Sequence, residues 1–363
     1  MKFVDEFRDR VIAERIIKKI EGFASFKANL MEVCGTHTMV IFKQGLKGML
    51  PKNVNLLSGP GCPVCVTSQE DIDKAIALAR DKKVIITTFG DMMRVPGTDS
   101  SLEEEKGNGA DVRVIYSPSE ALKIAKQNSA KSVIFLAVGF ETTSPLIAAS
   151  LLDARKEKIE NFYIFSSHKL IPPAMKALLD SKEVKIDGFI CPGHVSVIIG
   201  GNAYRFIAEK YNAPCVITGF EPLDVLQSIH MLLKQIEENR AEVEIEYFRA
   251  VHPQGNRIAQ ELISEVFEPC DVRWRGLGTI PKSGQKLKKE FSDFDAEKEF
   301  RPKIKKSKEN PDCACGEVLR GVKRPTQCKL FRRICNPEKP YGPCMVSSEG
   351  TCAAYYKYGG GLA

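Results

Sequence analysis

Short apolar runs alternate with amphipathic stretches from about residue 30 to residue 240, and this alternation limits the possible folds more than any other feature. The apolar runs have the length of strands and cover residues 55–58, 84–89, 112–116, 133–138, 162–166, 188–191 and 215–218. Helical patterns lie between them, at residues 68–80, 119–127, 145–156, 173–179, 203–211 and 222–238. Continuous apolar strands separated by helices are typical of parallel sheets that are covered on both faces. The pattern therefore predicts an α/β fold.

A related turn follows three of the predicted strands, at residues 89–91, 139–141 and 219–221. Each turn combines a glycine with an acid just past a strand's carboxyl end, where open α/β sheets usually bind ligands. For any single turn, a glycine that makes the turn and an acid that begins a helix are the simpler explanation. The recurrence nevertheless favours two similar Rossmann-like modules with parallel sheets, which we assign to residues 30–125 and 126–240.

The sequence changes character after residue 240. Residues 244–248 and 272–274 have strand patterns, and residues 254–267 have a helical one. Residues 282–309 contain ten Lys and Arg against six Asp and Glu and have weak periodicity, so we interpret them as a solvated, partly helical connection. We assign residues 241–363, together with residues 1–29 and their predicted helix 5–21, to an α-rich third domain.

Composition excludes several classes of protein. The net charge of +7 comes mostly from residues 282–309, and one Trp with scattered Phe and Tyr makes no basic and aromatic face of the kind that binds nucleic acid. The charged N-terminal residues are not followed by an apolar segment of a signal peptide, and the longest apolar run, residues 133–140, is too short to span a membrane. We therefore expect a cytoplasmic protein with no nucleic-acid or membrane partner. In that compartment, clustered cysteines indicate metal or redox sites.

Six of the twelve cysteines lie close together at the end of the chain, where residues 311–363 are too rich in Cys, Pro and Gly to build a large apolar core. They are Cys313, Cys315, Cys328, Cys335, Cys344 and Cys352. The two close Cys-x2–4-Cys pairs of most zinc sites are missing, and wide gaps suit an iron–sulfur cluster better. Zinc and a structural disulfide knot remain as alternatives. Four ligands chosen from six leave two thiols, which are either a dithiol beside the cluster or inert buried residues.

Two further cysteine motifs lie near the start of the chain. The sequence Gly-Pro-Gly-Cys-Pro-Val-Cys places Cys62 and Cys65 before a predicted helix, where the helix dipole would lower a thiol pKa. Redox, metal-binding and structural roles are equally open for such a pair. Cys34 follows the apolar residues 30–33 and precedes His37, and His194 follows another predicted strand. Three thiols at comparable strand ends make a site for a soft metal plausible. The other three cysteines, Cys191, Cys215 and Cys270, have only the pattern of buried thiols.

These motifs, in this order, resemble the HypD family of hydrogenase maturation factors. The residues that carry the resemblance are 34–37, 59–65, 139–143, 192–194, 219–224 and 342–347, so that it covers nearly the whole chain. It implies a protein that helps to assemble the Fe(CN)2CO group of [NiFe] hydrogenases, as a scaffold and redox partner rather than as an enzyme acting on a small metabolite. The implied partners are HypC, HypE, which delivers the cyanide, and indirectly the hydrogenase large subunit.

The resemblance also implies two metal centres. A mononuclear iron carrying CN and CO would be bound by Cys34, Cys62 and Cys65. A [4Fe-4S] cluster would be held by a Cys-x14-Cys-x6-Cys-x16-Cys set, which falls on Cys313, Cys328, Cys335 and Cys352. The residues alone do not say whether Cys313 or Cys315 is the fourth ligand.

On this basis we hypothesise a relay in which electrons reach Cys62 and Cys65 through Cys315 and Cys344. His37, His194 and Glu141 are candidates for supporting or proton-transfer roles near the iron, although strand-end residues of these types are often merely structural. Glu349 is a candidate for tuning the cluster or for capping a helix. The rival hypotheses are a ferredoxin-linked thiol–disulfide reductase that uses the same cluster and Cys-x-x-Cys pair, and a structural zinc protein.

Overall fold

The computed structural model of the chain describes residues 5–359, and it contains two parallel sheets surrounded by helices. The strands are β1 (Ala28–Glu32), β2 (Val54–Ser58), β3 (Val84–Thr88), β4 (Asp111–Val114), β5 (Ser132–Ala137), β6 (Phe162–Ser166), β7 (Gly188–Pro192), β8 (Cys215–Thr218), β9 (Val243–Ile245), β10 (Phe267–Trp274) and β11 (Gly278–Leu287). The predicted α/β fold with two parallel-sheet modules is confirmed. Residues 1–4 and 360–363, the ends of the predicted third domain, lie outside the described residues.

The helices of the first half are α1 (Arg10–Glu21), α2 (Gly35–Lys43), α3 (Leu46–Met49), α4 (Pro63–Val66), α5 (Gln69–Ala79), α6 (Leu102–Gly107), α7 (Pro118–Gln127), α8 (Ser144–Lys156) and α9 (Ile171–Ser181). Those of the second half are α10 (Gly193–Ile199), α11 (Arg205–Tyr211), α12 (Pro222–Glu237), α13 (Arg257–Val266), α14 (Ala296–Phe300), α15 (Cys315–Leu319), α16 (Pro343–Val346) and α17 (Thr351–Tyr358). Short 3-10 helices cover Asp5–Arg8, Gly90–Arg94, Gly201–Tyr204, Lys289–Phe294 and Pro325–Gln327. None of the helices within residues 5–359 combines the length and the apolar composition that a bilayer crossing needs.

The larger sheet has the strand order β2-β1-β7-β8-β9, and the smaller one has the order β4-β3-β5-β6. All pairs within both sheets are parallel. The central strands β3 and β7 are buried at every residue, as expected for sheets with helices on both faces. The carboxyl ends of β1 and β2 lie side by side, with Glu32 in register with Ser58.

The strand pairing does not follow the boundaries predicted at residues 125 and 240. Each of the ranges 30–125 and 126–240 contributes strands to both sheets, because the chain leaves the larger sheet after β2, builds the smaller one, and returns at β7. The range beyond 240 is also divided, since β9 joins the larger sheet. Helix α1 packs against α12 of the larger sheet. Periodicity identifies strands but not their partners, so the domain boundaries remain predictions.

The interpretation of residues 282–309 as a solvated connection is wrong for its first half. Strand β11 extends to Leu287 and pairs antiparallel with β10, and Ser283, Phe291 and Ala296 are buried. The sequence did not predict this strand because β11 is only half buried, and its exposed lysines lie between buried residues. The rest of the range ends in an irregular segment from Arg301 to the start of α15.

Candidate functional site

Cys34 lies at the start of α2, directly beyond the carboxyl end of β1. The buried carboxylate of Glu32 accepts hydrogen bonds from the Cys34 backbone N–H at 3.0 Å and from the Thr38 hydroxyl at 2.5 Å. Burial raises the pKa of Glu32 to about 8. These bonds fix the backbone of Cys34 between the strand and the helix.

The Cys34 thiol is itself buried. Burial raises the pKa of this thiol to about 12, although the backbone amides of His37 and Thr36 act in the opposite direction. A protonated thiol is a poor ligand and a poor nucleophile, so Cys34 is unreactive by itself. A metal ion that replaces the proton would reverse this, because metal binding and thiol deprotonation are linked.

The loop after β2 packs directly against the backbone of Cys34. The Gly59 N–H donates to the Glu32 carbonyl at 2.8 Å, and the Gly35 N–H donates to the Gly61 carbonyl at 2.9 Å. A Cβ atom on Gly61 would lie 2.1 Å from the Cys34 nitrogen, so no other residue fits at this position. The glycines of this motif therefore allow the two cysteine loops to touch.

Cys62 and Cys65 form a close pair: Cys62 caps the N-terminus of α4, and Cys65 lies within its single turn. Their Sγ atoms are 2.7 Å apart, and the Cys62 Sγ also accepts from the Cys65 backbone N–H at 3.3 Å. Burial, together with the neighbouring thiols of Cys344 and Cys62, raises the pKa of Cys65 well above its usual value. The expectation that a helix dipole lowers the thiol pKa is thus wrong for Cys65, because the thiol is fully buried.

The C-terminal segment places a second pair of thiols, Cys344 and Cys315, near Cys65. Helix α16 packs on α4, and the Pro343 carbonyl oxygen lies 3.8 Å from the Cys65 Sγ. The thiol of Cys344 interacts with that of Cys65 and lies 3.3 Å from that of Cys315. Cys62 with Cys65 and Cys344 with Cys315 therefore form two close thiol pairs that the packing of α16 on α4 brings together, and we call these four residues the row of thiols.

All six C-terminal cysteines line one small cavity, together with Phe331, Gly342 and Met345. A Cβ atom on Gly342 would lie 2.9 Å from the Cys313 Sγ, so the glycine keeps space open among the sulfur atoms. Soft thiol donors around a closed apolar cavity fit an iron–sulfur cluster by their chemistry. Among residues 5–359, however, no three Cys, His, Asp or Glu side chains converge closely enough to enclose a metal ion as they stand. Both predicted metal sites therefore remain predictions.

His37 lies in the first turn of α2, three residues after Cys34, and is completely buried. Its Nε2 contacts the carbonyl oxygens of Gly219 at 2.9 Å and Thr218 at 3.2 Å, and its Nδ1 has no hydrogen-bond partner among the described residues. Burial lowers the pKa of His37 to about 4, so the ring is neutral. Its ring stacks on Phe220, and so does that of the exposed His194.

Glu349 is a member of this site that the sequence placed elsewhere. The Thr36 hydroxyl donates to its Oε1 at 2.6 Å, and its Cβ packs against Gly35 at the start of α2. Its carboxylate thus lies at the N-terminus of α2, beside Cys34. Arg275 is a second such residue, buried with its guanidinium on the Thr67 carbonyl and the Gln69 side chain. Nothing in the local sequence signals either contact.

Glu141 is not brought to the cysteines by any contact in the described part of the chain. Its Oε1 accepts from the Ile171 backbone N–H at 3.0 Å, and it lines a cavity in which no cysteine takes part. Its predicted position beside the iron therefore finds no support in its surroundings.

Comparison with known proteins identifies the family. Residues 11–359 match the family described as HypD, hydrogenase formation hypA family. The chain belongs to the HypD family. It is 48% identical to hydrogenase maturation factor HypD2 of Bradyrhizobium diazoefficiens, over 99% of this chain and 97% of that protein. It is also 46% identical to HypD of Cupriavidus necator (99% and 97% covered) and 45% identical to HypD of Escherichia coli K12 (99% and 98% covered).

The raised pKa of Cys34 gives a first prediction for this HypD-family protein. At pH 8 only about one Cys34 side chain in ten thousand is ionised. We expect iodoacetamide to leave Cys34 unmodified in the native metal-free protein, while the half-buried Cys328 is alkylated. Peptide mass spectrometry measures both, and labelling in concentrated urea is the control. Equal labelling rates for Cys34 and Cys328 in the native protein would contradict the prediction.

The space kept by Gly342 gives a second prediction. In Gly342→Ala the added methyl group meets the Cys313 sulfur, and overpacking of this kind costs about 1–3 kcal/mol. We expect less iron and sulfide per chain after anaerobic reconstitution, measured by metal and sulfide analysis with the visible spectrum. Gly48→Ala is the matched control, because a Cβ there has no atom within 4 Å. Zinc instead of iron and sulfide in the wild type would show that the cavity is a zinc site.

Proposed function

We propose that this HypD-family protein is a scaffold and redox partner for assembly of the Fe(CN)2CO group of [NiFe] hydrogenases. It would act together with HypC, accept cyanide from HypE, and serve the hydrogenase large subunit indirectly. Family membership supports the general role in hydrogenase maturation. The single observation that carries the finer proposal is the row of thiols, in which the packing of α16 on α4 brings together the pairs Cys62–Cys65 and Cys344–Cys315. Free thiols persist in the cytoplasm, where we expect the assembly to take place.

Iron is the substrate of this assembly, and Cys34, Cys62 and Cys65 are its proposed ligands. Soft thiolates keep low-spin Fe(II) electron-rich, which favours binding of CN and CO. The three cysteines do not enclose a metal by themselves, which fits a site that a partner protein completes. Burial of Cys34 and Cys65 keeps their thiols protonated until iron arrives, so iron binding would release protons.

The C-terminal cavity is the proposed site of a resident [4Fe-4S] cluster, held by Cys313, Cys328, Cys335 and Cys352. When bound, such a cluster supplies electrons one at a time. Cys315 and Cys344 would then be the free dithiol, an assignment that the 3.3 Å distance between their sulfur atoms supports.

The two dithiols can exchange electrons directly. If Cys62 and Cys65 form a disulfide, the deprotonated Cys344 sulfur can attack Cys65 and release the Cys62 thiolate. Attack by the deprotonated Cys315 sulfur on Cys344 then releases the Cys65 thiolate and leaves a Cys315–Cys344 disulfide. Two electrons pass to the first pair, and the two protons lost by the attacking thiols balance the two thiolates released. Cys62 and Cys65 would thus alternate between disulfide and iron ligand, which ties reduction to cyanide transfer.

His37 and His194 are proposed as supporting residues for this chemistry. The free Nδ1 of His37 can accept a proton or a hydrogen bond within a buried site, where an unpaired nitrogen is otherwise costly. His194 is more exposed and stacks on the same phenylalanine ring, so it can connect the site to solvent.

A ferredoxin-linked thiol–disulfide reductase is the alternative from a different functional class. The same row of thiols favours it, because two adjacent dithiols are sufficient for disulfide reduction without a mononuclear iron.

Infrared spectroscopy of the complex with HypC, prepared anaerobically, distinguishes the two functions. We expect bands from CN and CO in the complex with the wild-type protein, and their loss in the complex with Cys34→Ala. Absence of these bands together with ferredoxin-dependent disulfide reduction would instead support the reductase.

The relay predicts a separate effect of the second dithiol. We expect Cys315→Ala with Cys344→Ala to abolish hydrogenase maturation and to leave the Cys62–Cys65 disulfide unreduced, as measured by thiol trapping and mass spectrometry. The matched control is Cys191→Ala with Cys215→Ala, a pair of neighbouring buried thiols on β7 and β8 outside the row. Intact maturation in the first double variant would rule out the relay.

A further inference from the structure

A cavity of about 720 Å³ lies between the start of α5, the loop before α6, the end of β10 and the C-terminal segment. Its volume is within the usual range for small-molecule sites. Cys313 and Cys315 line this cavity and also the small cavity of the six C-terminal cysteines, so the two spaces share a wall. A molecule in the larger cavity would therefore lie beside the cysteines without taking the place of a cluster.

Arg275 is the one charged residue of this lining that is buried, with 5% of its surface exposed. Its Nε donates to the Thr67 carbonyl at 3.1 Å, and its Nη2 donates to the Gln69 side-chain oxygen at 2.9 Å. A guanidinium has five N–H donors, so three of them remain free. The Nη1 atom has no acceptor within residues 5–359 and is not one of the fully enclosed unpaired atoms, so it keeps accessible surface. The free N–H groups are therefore open to a ligand in the cavity.

The positive charge of Arg275 has no counter-charge in the described part of the chain. Both of its hydrogen-bond acceptors are neutral, and a buried cation without an anionic partner costs stability. The other charged residues of the lining, five acids and three bases, are all exposed, so water and salt screen them. The buried wall of the cavity therefore carries one unpaired positive charge, which favours an anion.

We propose that this cavity binds a small organic molecule that carries a carboxylate, with the carboxylate oxygens accepting from the free N–H groups of Arg275. The planar guanidinium matches a carboxylate in geometry, and the anion supplies the missing counter-charge. Pro96, Pro311, Pro340 and Tyr341 line the same space and offer apolar surface to the organic part of the ligand. No cysteine takes part in the binding, so this site is independent of the proposed iron chemistry.

The test uses benzoate as the probe and benzamide as its uncharged counterpart of the same shape, with the full-length protein and a ligand-observed NMR titration. We expect benzoate to bind the wild type saturably and more tightly than benzamide. Arg275→Gln should weaken benzoate binding about tenfold to a hundredfold, because it removes hydrogen bonds between charged groups. It should leave benzamide binding nearly unchanged, which also shows that the variant is folded. Arg275→Lys keeps the charge but not the planar fork, so it should bind benzoate more tightly than Arg275→Gln does.

A second arginine of the same cavity provides the matched control. Arg94 is exposed and donates to the Pro337 carbonyl at 2.8 Å, so Arg94→Gln should bind benzoate as the wild type does. Inorganic phosphate, titrated in the same way, should bind more weakly than benzoate, because it has no apolar part. No saturable binding of benzoate, equal binding of benzoate and benzamide, unchanged benzoate binding in Arg275→Gln, or tighter binding of phosphate would each overturn the proposal.

Discussion

The contact between the loops that follow β1 and β2 is the constraint on which the cysteine site depends. Two backbone hydrogen bonds join the loops, and Gly61 lies so close to Cys34 that a side chain there is impossible. The parallel pairing of β1 with β2 sets the register that makes this approach possible. The C-terminal segment packs against the helices that follow these two loops: Tyr355 packs on Phe42 of α2, and α16 packs on α4. The row of thiols exists only because these three segments meet at one place.

Burial decides the chemical state of the sulfur atoms at this place. Removal of water raises the pKa of Cys34 and Cys65, and at Cys34 the backbone amides of His37 and Thr36 do not compensate for it. Such thiols are protected from adventitious alkylation and oxidation, which depend on the thiolate. They become reactive when a metal ion takes the place of the proton. In the proposed assembly of an iron centre, sulfur atoms that respond only to the correct partner are an advantage.

Local patterns in the sequence predicted most strands and helices, but not how they assemble. The runs at residues 84–89, 133–138 and 215–218 were recognisable as strands because strands that are buried on both faces are made almost entirely of apolar residues. No local sequence pattern indicates that the chain returns to the larger sheet at β7, or that Cys344 lies near Cys65. The ribbon strand β11 was missed because its exposed lysines resemble a solvated segment. The resemblance to the HypD family that the cysteine motifs carry is confirmed, whereas the surroundings of Glu141 and Glu349 could be learned only from the fold.

The geometry of parallel sheets explains why the molecule has two cavities beyond its strand ends, which differ in the side chains that line them. In parallel sheets the loops at the carboxyl ends diverge and leave space for ligands. In the larger sheet those loops carry Cys34, Cys62, His194 and Gly219, and the C-terminal segment fills the space with more sulfur. In the smaller sheet they carry Glu141 and Leu170, and the β10–β11 ribbon closes the space with apolar residues instead. One architecture thus provides a sulfur-rich site on one sheet and a mainly apolar cavity on the other. The difference comes from the late segment of the chain that covers each sheet edge.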